Sequence, residues 1–527
     1  MEAPPAATET PTTITSLSLN DTTTQENVQK VPSESRFPLV DEGDDQVGVP
    51  LSENDEDAHA IIANTLPKSV IIQSNIDNLY LHFEKENPWV PNAIRFHGDY
   101  SFGLETRFEV VQATTVTGLV HIRCLRNNKY WANSGTSYRW VTAMAIKPEE
   151  NQSDPYCTLF KPIFEYSNNN RVVKLRHVNT GYYVRRFYGG DHYYGALYLS
   201  ASGDSCERYT FIDWESVVML PDLIRIKGDN GNHLESYGGD GYMDYNRKAD
   251  NSSFFDYEVS PSRDGGIRLK GVYHGKYWTD VDTSIWVLLK EAATTFHDTN
   301  TVFLPTIVDG NRIIMRSLKN GKFCNRFTTE EKTSCLATLE KYPDQWSSME
   351  IEEPVMSRKI NNVRYHLTDA RLYNEKILAL ITDDSSNYTQ SPLTSSLNLK
   401  TTVTNTTNWS NSVTMKVGIK MTCTAGVPGV SSGAIEISAD ITGSQSWGET
   451  HTETQEVGSV KTITVPPMTR VKGSLMATRV SYDIPFAYTQ HDVLKNGSPK
   501  VYEKNDGVFT GHNGYGYKYE VVNLPLQ

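Results

Sequence analysis

The chain has 527 residues, 38% of them hydrophobic, and a formal net charge of −13. At about 100–200 residues per domain, this length predicts three or four domains. No run of about 18 apolar residues occurs, which excludes a transmembrane helix. The N-terminal Met-Glu-Ala-Pro-Pro lacks the basic and apolar regions of a secretory signal. We therefore expect a cytoplasmic protein whose six cysteines are reduced thiols.

Residues 1–66 form an acidic N-terminal segment. They contain 13 Asp and Glu against Lys30 and Arg36, and Phe37 is their only aromatic residue. A Thr-, Ser- and Pro-rich segment of this kind buries too little apolar surface to offset the entropy of ordering, so a disordered acidic tail is predicted. The rest of the chain is nearly neutral and lacks the basic surface of a nucleic-acid-binding protein, so no nucleic acid partner is predicted.

Six segments of similar form follow, each with alternating apolar residues, a turn containing Gly or Asn, and then an aromatic residue or Leu. The equivalent apolar positions recur every 43–53 residues, at Ile72, Ile122, Leu175, Ile226, Leu269 and Met315. A period of this size marks supersecondary units that share a core. Asn-Asn-Lys-Tyr-Trp131 and His-Gly-Lys-Tyr-Trp278 are near copies in the second and fifth units. The array therefore divides into two sets of three, which predicts two tandem β-trefoils over 67–217 and 218–355.

The composition changes near Pro354, and the domain 356–527 contains a long alternating stretch at 412–444, with a turn predicted at 427–432. The apolar positions include Val413, Met415, Val417, Ile419, Met421, Ile435, Ile437 and Ile441. The charged residues between them are Lys416, Lys420, Glu436 and Asp440. Two arms of about 9–11 residues with one apolar and one polar face match a transmembrane β-hairpin. The apolar residues would face lipid and the charged residues the lumen.

A single hairpin cannot cross a bilayer, because its edges leave backbone groups unpaired. Membrane insertion therefore requires a ring of hairpins from several chains, and a homo-oligomer is predicted. The alternative is an amphipathic hairpin that packs its apolar face on the protein's own core, as is ordinary in antiparallel sheets. The length of the alternation, its small polar residues and its apolar tip favour the membrane hairpin.

Motifs of enzymes and metal sites are missing from the sequence. Walker A, G-x-S-x-G and H-E-x-x-H patterns do not occur. The cysteines form no CxxC, and no pair of histidines has zinc-ligand spacing. We expect no catalytic site, no metal and no cofactor.

Several motifs resemble two known families. The first group resembles the amaranthin-type plant agglutinins, over about 67–355, in Gly118-Leu-Val-His-Ile-Arg, Asn128-Lys-Tyr, Trp140-Val-Thr-Ala, Cys157-Thr-Leu-Phe-Lys-Pro162 and Phe211-Ile-Asp-Trp214. The second group resembles the aerolysin-type pore-forming module, over about 356–527, in Ser438-Ala-Asp-Ile-Thr-Gly-Ser-Gln-Ser-Trp-Gly448 and Pro466-Pro467. Together they imply an all-β protein of two tandem β-trefoil lectin domains followed by an elongated, antiparallel aerolysin-like module.

The agglutinin resemblance implies that the trefoils bind glycans containing N-acetylgalactosamine or galactose, of the T-antigen type. By position the sugar loop is 134–140, with the candidates Ser137, Tyr138, Arg139 and Trp140, and Trp286 lies in the corresponding loop of the second trefoil. Aromatic faces contact sugar C–H groups while polar side chains fix the hydroxyls. The combined resemblance implies a plant defence lectin that forms membrane pores. The alternative is a non-lytic multivalent lectin whose aerolysin-like part only mediates assembly.

Overall fold

The computed structural model describes residues 65–526 except 97–101, 168–169, 191, 204–206, 237, 263–265, 283, 292–297, 414, 416–418, 420 and 440. The predicted acidic tail, except for its last two residues, therefore lies outside the described residues. The same holds for Lys416, Val417, Lys420 and Asp440, and for the side chain of Ile441.

The part of the chain that the structure describes is nearly all β, as predicted. It has 34 strands and no α-helix, and none of its helical turns is long or apolar enough to cross a membrane. The four short 3-10 turns are Trp214–Ser216, Ser253–Phe255, Thr299–Thr301 and Leu367–Asp369.

The first lobe, residues 69–213, is a sheet of twelve strands. They are β1 (Ser69–Ser74), β2 (Leu81–Glu84), β3 (Ala93–Phe96), β4 (Phe108–Gln112), β5 (Val120–Cys124), β6 (Tyr130–Asn133), β7 (Val141–Ala145), β8 (Phe160–Ser167), β9 (Asn170–His177), β10 (Tyr183–Arg186), β11 (Leu197–Ser200) and β12 (Tyr209–Asp213). The first and last strands pair with each other, β1 against β12. The aligned repeat positions Ile72, Ile122 and Leu175 lie together in one buried core. The repeat in the sequence thus corresponds to three segments that share a hydrophobic centre.

The second lobe, residues 223–352, is another sheet of twelve strands. They are β13 (Leu223–Lys227), β14 (His233–Glu235), β15 (Asp244–Arg247), β16 (Tyr257–Pro261), β17 (Ile267–Gly271), β18 (Tyr277–Asp280), β19 (Val287–Lys290), β20 (Phe303–Asp309), β21 (Arg312–Ser317), β22 (Phe323–Phe327), β23 (Cys335–Glu340) and β24 (Met349–Glu352). Its first and last strands also pair, β13 against β24. Ile226, Leu269 and Met315, the other three repeat positions, share its core.

The C-terminal part begins at Val355 and consists of longer strands. They are β25 (Val355–Tyr365), β26 (Arg371–Asn387), β27 (Leu393–Ser410), β28 (Met421–Ala425), β29 (Pro428–Ser431), β30 (Ala434–Ile437), β31 (Ile441–Gln445), β32 (Thr450–Val465), β33 (Thr469–Leu494) and β34 (Pro499–Pro525). Eight of them form one sheet, while β29 and β30 pair separately. At about 3.3 Å per residue, the 27 residues of β34 have a contour length of roughly 90 Å. Strands average about 5–6 residues in globular proteins, so this part has an unusually long framework.

The predicted hairpin is present, but its strands are shorter and its turn lies elsewhere. β28 pairs with β31 and β29 pairs with β30. Among the described residues of 412–420, none is in a strand. The predicted turn at 427–432 was wrong, because Pro428–Ser431 is a strand. The chain turns at Ser432 and Gly433, whose φ angles are 53° and 83°. Two successive residues with positive φ are typical of the type I′ turn, whose twist fits a two-residue hairpin.

Candidate functional site

Three aromatic rings stack at one edge of the first lobe. The ring centroid of Trp140 lies 5.5 Å from that of Tyr193, with an interplanar angle of 9°. The Tyr138 ring lies 5.6 Å from Trp140 at 22°. Trp140 is buried, whereas Tyr138 is 61% exposed. The Tyr138 and Tyr193 ring centroids are also only 6.3 Å apart, so the three rings form a compact cluster in which Trp140 is buried and Tyr138 presents an aromatic surface to solvent.

A groove with a volume of about 350 Å³ opens beside this stack. Its aromatic lining is Trp89, Tyr138, Trp140 and Tyr193, and its polar lining includes Asn92, Ser134, Thr136 and Thr142. Small-molecule sites usually combine apolar walls with a few polar groups in a volume of about 300–1,000 Å³. The groove has the size and the mixture of groups that a sugar ring needs.

Backbone hydrogen bonds fix the loop that carries Tyr138. The Ser134 N–H donates to the Trp140 carbonyl at 2.8 Å, and the Arg139 N–H donates to the Thr136 carbonyl at 3.0 Å. The Arg139 carbonyl accepts from the Leu199 N–H at 3.0 Å. Hydrogen bonds within the loop join its two ends, and a further bond joins it to β11. The orientation of the aromatic rings is therefore set before any ligand binds.

The structure brings two of the five sequence-predicted sugar residues together at the groove, namely Tyr138 and Trp140. Ser137 is exposed but does not line the groove. The Arg139 guanidinium lies 4.9 Å from the centroid of the Tyr182 ring, outside the groove lining. Trp286 is only 9% exposed and packs within a small cluster of the second lobe. A role for these three in sugar binding stays a prediction.

Two groove aromatics were missed because they come from other loops. Trp89 lies between β2 and β3, is 51% exposed, and stacks on His192 at 4.6 Å. Its loop is held by Asn87, whose Oδ1 accepts the N–H groups of Trp89 and Val90 at 2.9 Å each. Tyr193 lies between β10 and β11. The only signal in the sequence was the density of aromatic and Gly residues around it, which does not say where the loop lies in space.

The hairpin region buries two of the side chains that were predicted to face lipid and partly buries three others. Met415 and Met421 are buried, Val413, Ile419 and Ile435 are half-buried, and Ile437 is 41% exposed. The predicted alternation is realised in β28, where Met421, Cys423 and Ala425 are buried while Thr422 is exposed. The predicted lumen residue Glu436 is exposed.

The apolar face of the hairpin packs on the C-terminal part itself. Met421, Cys423, Ala425 and Val430 belong to one core cluster with the aromatic rings of β33 and β34, such as Phe486. This arrangement corresponds to the soluble amphipathic hairpin considered from the sequence. In this structure the apolar side chains of β28 and Val430 of β29 are therefore shielded from solvent, whereas Ile437 of β30 is exposed.

Side chains from three strands hold the hairpin backbone. The Tyr365 hydroxyl donates to the Gly426 carbonyl at 2.7 Å, and the Tyr482 hydroxyl donates to the Pro428 carbonyl at 3.0 Å. The Asn513 side chain accepts from the Val430 N–H at 3.0 Å and donates to its carbonyl at 2.9 Å. These hydrogen bonds pair backbone groups of Gly426, Pro428 and Val430, which lie outside the strands of the eight-stranded sheet.

A buried charge cluster lies beside the first hairpin strand. β28 pairs in parallel with β25, and Arg358 of β25 is opposite Met421. The Arg358 guanidinium donates to Asp492 and Glu353, both at 2.7 Å. Burial raises the pKa of the Glu353 carboxyl although Arg358 acts to lower it. Removing one partner of such a cluster is costly, because it leaves a buried charge uncompensated.

One comparison with known protein families matches part of the chain. A family model described as "Agglutinin domain" matches residues 64–207, which include every residue that lines the groove. No curated protein matches the chain. In the described residues, no group of three or more His, Cys, Asp or Glu side chains is placed so that it could hold a metal ion.

Three similar solved structures cover different shares of the chain. The lamprey immune protein is 10% identical, covers 67% of this chain and 87% of its own, and has a TM-score of 0.29. The hemolytic lectin CEL-III is 10% identical, covers 85% and 92%, and has a TM-score of 0.30. The parasporin-2 toxin of Bacillus thuringiensis is 22% identical, covers 32% and 74%, and has a TM-score of 0.21. Likenesses at such scores support no conclusion about this chain.

Proposed function

We propose that this protein is a carbohydrate-binding lectin whose sugar site is the groove beside Trp140, since the family model described as "Agglutinin domain" matches residues 64–207 and this range includes the groove. The observation that carries the proposal is the Tyr138–Trp140–Tyr193 stack, which lines a groove inside the matched residues. An aromatic face packs against the C–H groups of a sugar ring, while hydroxyl and amide groups such as those of Thr136 and Asn92 bind its hydroxyls.

The sugar class that we propose is N-acetylgalactosamine or galactose, in keeping with the resemblance of the motifs within 118–162 and at 211–214 to amaranthin-type agglutinins. We also propose that each twelve-stranded lobe is a β-trefoil. Two features support this: the first and last strands of each lobe pair with each other, and three repeat positions share each core. The second lobe then provides a second lectin-type domain.

The second half of the proposal concerns the C-terminal part, which we propose to be an aerolysin-like pore-forming module. Several copies would assemble, and the hairpin would leave its core and join a shared barrel. Its alternation supports this, since the side chains buried in β28 are those that would face lipid. Closure into a ring is required because an isolated hairpin leaves its edges unpaired in the bilayer.

A non-lytic lectin is the second candidate, and one observation favours it. The apolar side chains of β28 are already covered by the core that contains Phe486 and Phe509. A hairpin whose apolar side chains are buried in the protein's own core is stable without a membrane. In that case the C-terminal part only holds several lectin lobes together.

Liposomes separate the two candidates. Vesicles that carry a glycolipid ending in N-acetylgalactosamine are loaded with a dye, and plain vesicles are the control. The pore-forming lectin predicts binding and dye release that both require the glycolipid. Binding in the pellet without release supports the non-lytic lectin. If neither vesicle binds the protein, the proposed sugar class is wrong.

A further inference from the structure

One side chain of the hairpin region lies in the core of a different part of the molecule. Met415 is 3% exposed and belongs to the hydrophobic core of the second lobe, beside Met315 and Trp278. Every other buried member of that core comes from residues 220–351. The second lobe therefore completes its core with a residue that precedes the first hairpin strand by only six positions.

Two further contacts flank Met415 in the sequence. On one side, the backbone N–H of Ser412 donates to Asp506 Oδ2 at 3.1 Å, and the Ser412 hydroxyl donates to the same oxygen. On the other side, Ile419 packs against a cluster that joins Leu223 of the second lobe to Leu494 of β33. The segment is thus held at three points, of which Met415 is the most deeply buried.

We propose that the second lobe restrains the hairpin by holding Met415 in its core. The inference rests on the proposed pore function and concerns its regulation. If β28 is to leave β25, the chain just before it has to move as well, and Met415 must come out of the second lobe. Withdrawal leaves a cavity in a close-packed core, which opposes release. The lectin-type lobe would therefore control when the hairpin becomes available.

The lobe itself stays attached when Met415 leaves, because separate ion pairs hold it to the C-terminal part. Lys504 of β34 lies 2.7 Å from Asp222, and Lys500 of β34 lies 3.2 Å from Glu258. None of these four residues belongs to the hairpin. Met415 can thus be released while the second lobe keeps its position on β34.

Limited trypsin digestion of the full-length protein tests the restraint without a membrane. Lys416 and Lys420 provide cleavage sites next to Met415, and mass spectrometry identifies the fragments. Met415→Ala should increase the rate of cleavage at these two sites about tenfold, since it removes the side chain that fills the core. Met415→Leu, which keeps the apolar volume, should restore the wild-type rate.

Met315→Ala is the matched control, since Met315 is fully buried in the same core but belongs to β21. It should expose cleavage sites of the second lobe, such as Lys319 and Lys322, before those at Lys416 and Lys420. Ser412→Ala, which removes one hydroxyl bond, should increase cleavage by a smaller factor. If Met415→Ala is cleaved at Lys416 and Lys420 no faster than the wild type, or in the same order as Met315→Ala, the restraint does not exist.

The digestion distinguishes this inference from the pore proposal. Faster cleavage of Met415→Ala together with vesicle binding but no dye release supports the restraint and overturns the pore. Dye release by the wild type together with unchanged cleavage and unchanged release by Met415→Ala supports the pore and overturns the restraint.

Discussion

Replacing Tyr138 by Ala tests the sugar site with little damage to the fold. A Tyr side chain offers about 200 Å² of surface, and 61% exposure leaves about 120 Å² of it accessible. A sugar ring that covers half of this area gains about 1.5 kcal/mol at ~25 cal/mol per Å². Since about 1.4 kcal/mol is a factor of ten in affinity, Tyr138→Ala should raise the Kd for N-acetylgalactosamine about tenfold.

The measurement is a calorimetric titration of the full-length protein with N-acetylgalactosamine, with thermal unfolding recorded in parallel. Loss of the stacking contact with Trp140 costs about 0.5–1.5 kcal/mol, so the variant should remain folded. Tyr166→Ala is the control, because Tyr166 is 74% exposed in the same lobe and does not line the groove. Unchanged affinity in Tyr138→Ala would place the sugar site elsewhere.

Two further perturbations test the hairpin and the first lobe. Ile437→Lys should abolish dye release while sugar binding persists, since a cation at the bilayer midplane costs about 2–4 kcal/mol per strand. Glu436→Lys is the control, because Glu436 lies on the opposite face of β30, and this variant should still release dye. Equal release by both variants would contradict the assignment of faces. Burial alone would raise the pKa of Glu150, but hydrogen bonds from Thr114 and Thr115 outweigh it and lower the pKa to about 2. The folded-state pKa is below the unfolded value, so the stabilisation is present above pH 4.5 and is lost as the pH falls toward 2. Glu150→Gln should therefore lower the unfolding free energy at pH 7 by about 1–2 kcal/mol after discounting for solvent screening, and by much less at pH 2. Acid titrations of stability that coincide with the wild type would refute this.

The repeat and the alternation could be predicted because they concern which side of a strand a residue occupies. Ile72, Ile122 and Leu175 recur at similar spacing and share one core, since each repeat turns the same position inward. In β28 the alternation placed Met421 on the apolar face of the strand, and in the structure this face is the buried one. Such patterns depend only on the strand period, so a sequence is enough to find them.

The turn of the hairpin could not be placed by composition alone. Pro428 and Gly429 are typical turn residues, yet they lie in a strand, because Ser432 and Gly433 adopt the two positive φ angles that fit the twist of the hairpin. Here the pairing between strands overrode the local preference. The sequence pattern therefore predicts which side chains share a face of the hairpin more readily than it predicts the position of the turn.

The all-β class, the shared cores of the repeats and the groove aromatics Tyr138 and Trp140 could be predicted from the sequence, since these follow from local spacing and motifs. The tertiary structure alone decided that Trp89 and Tyr193 join Tyr138 at one groove, because closure of the sheet brings their loops together. It also decided that Met415 lies in the second lobe. An apolar residue is predicted to be buried by its pattern, but which core it enters depends on how distant parts of the chain pack.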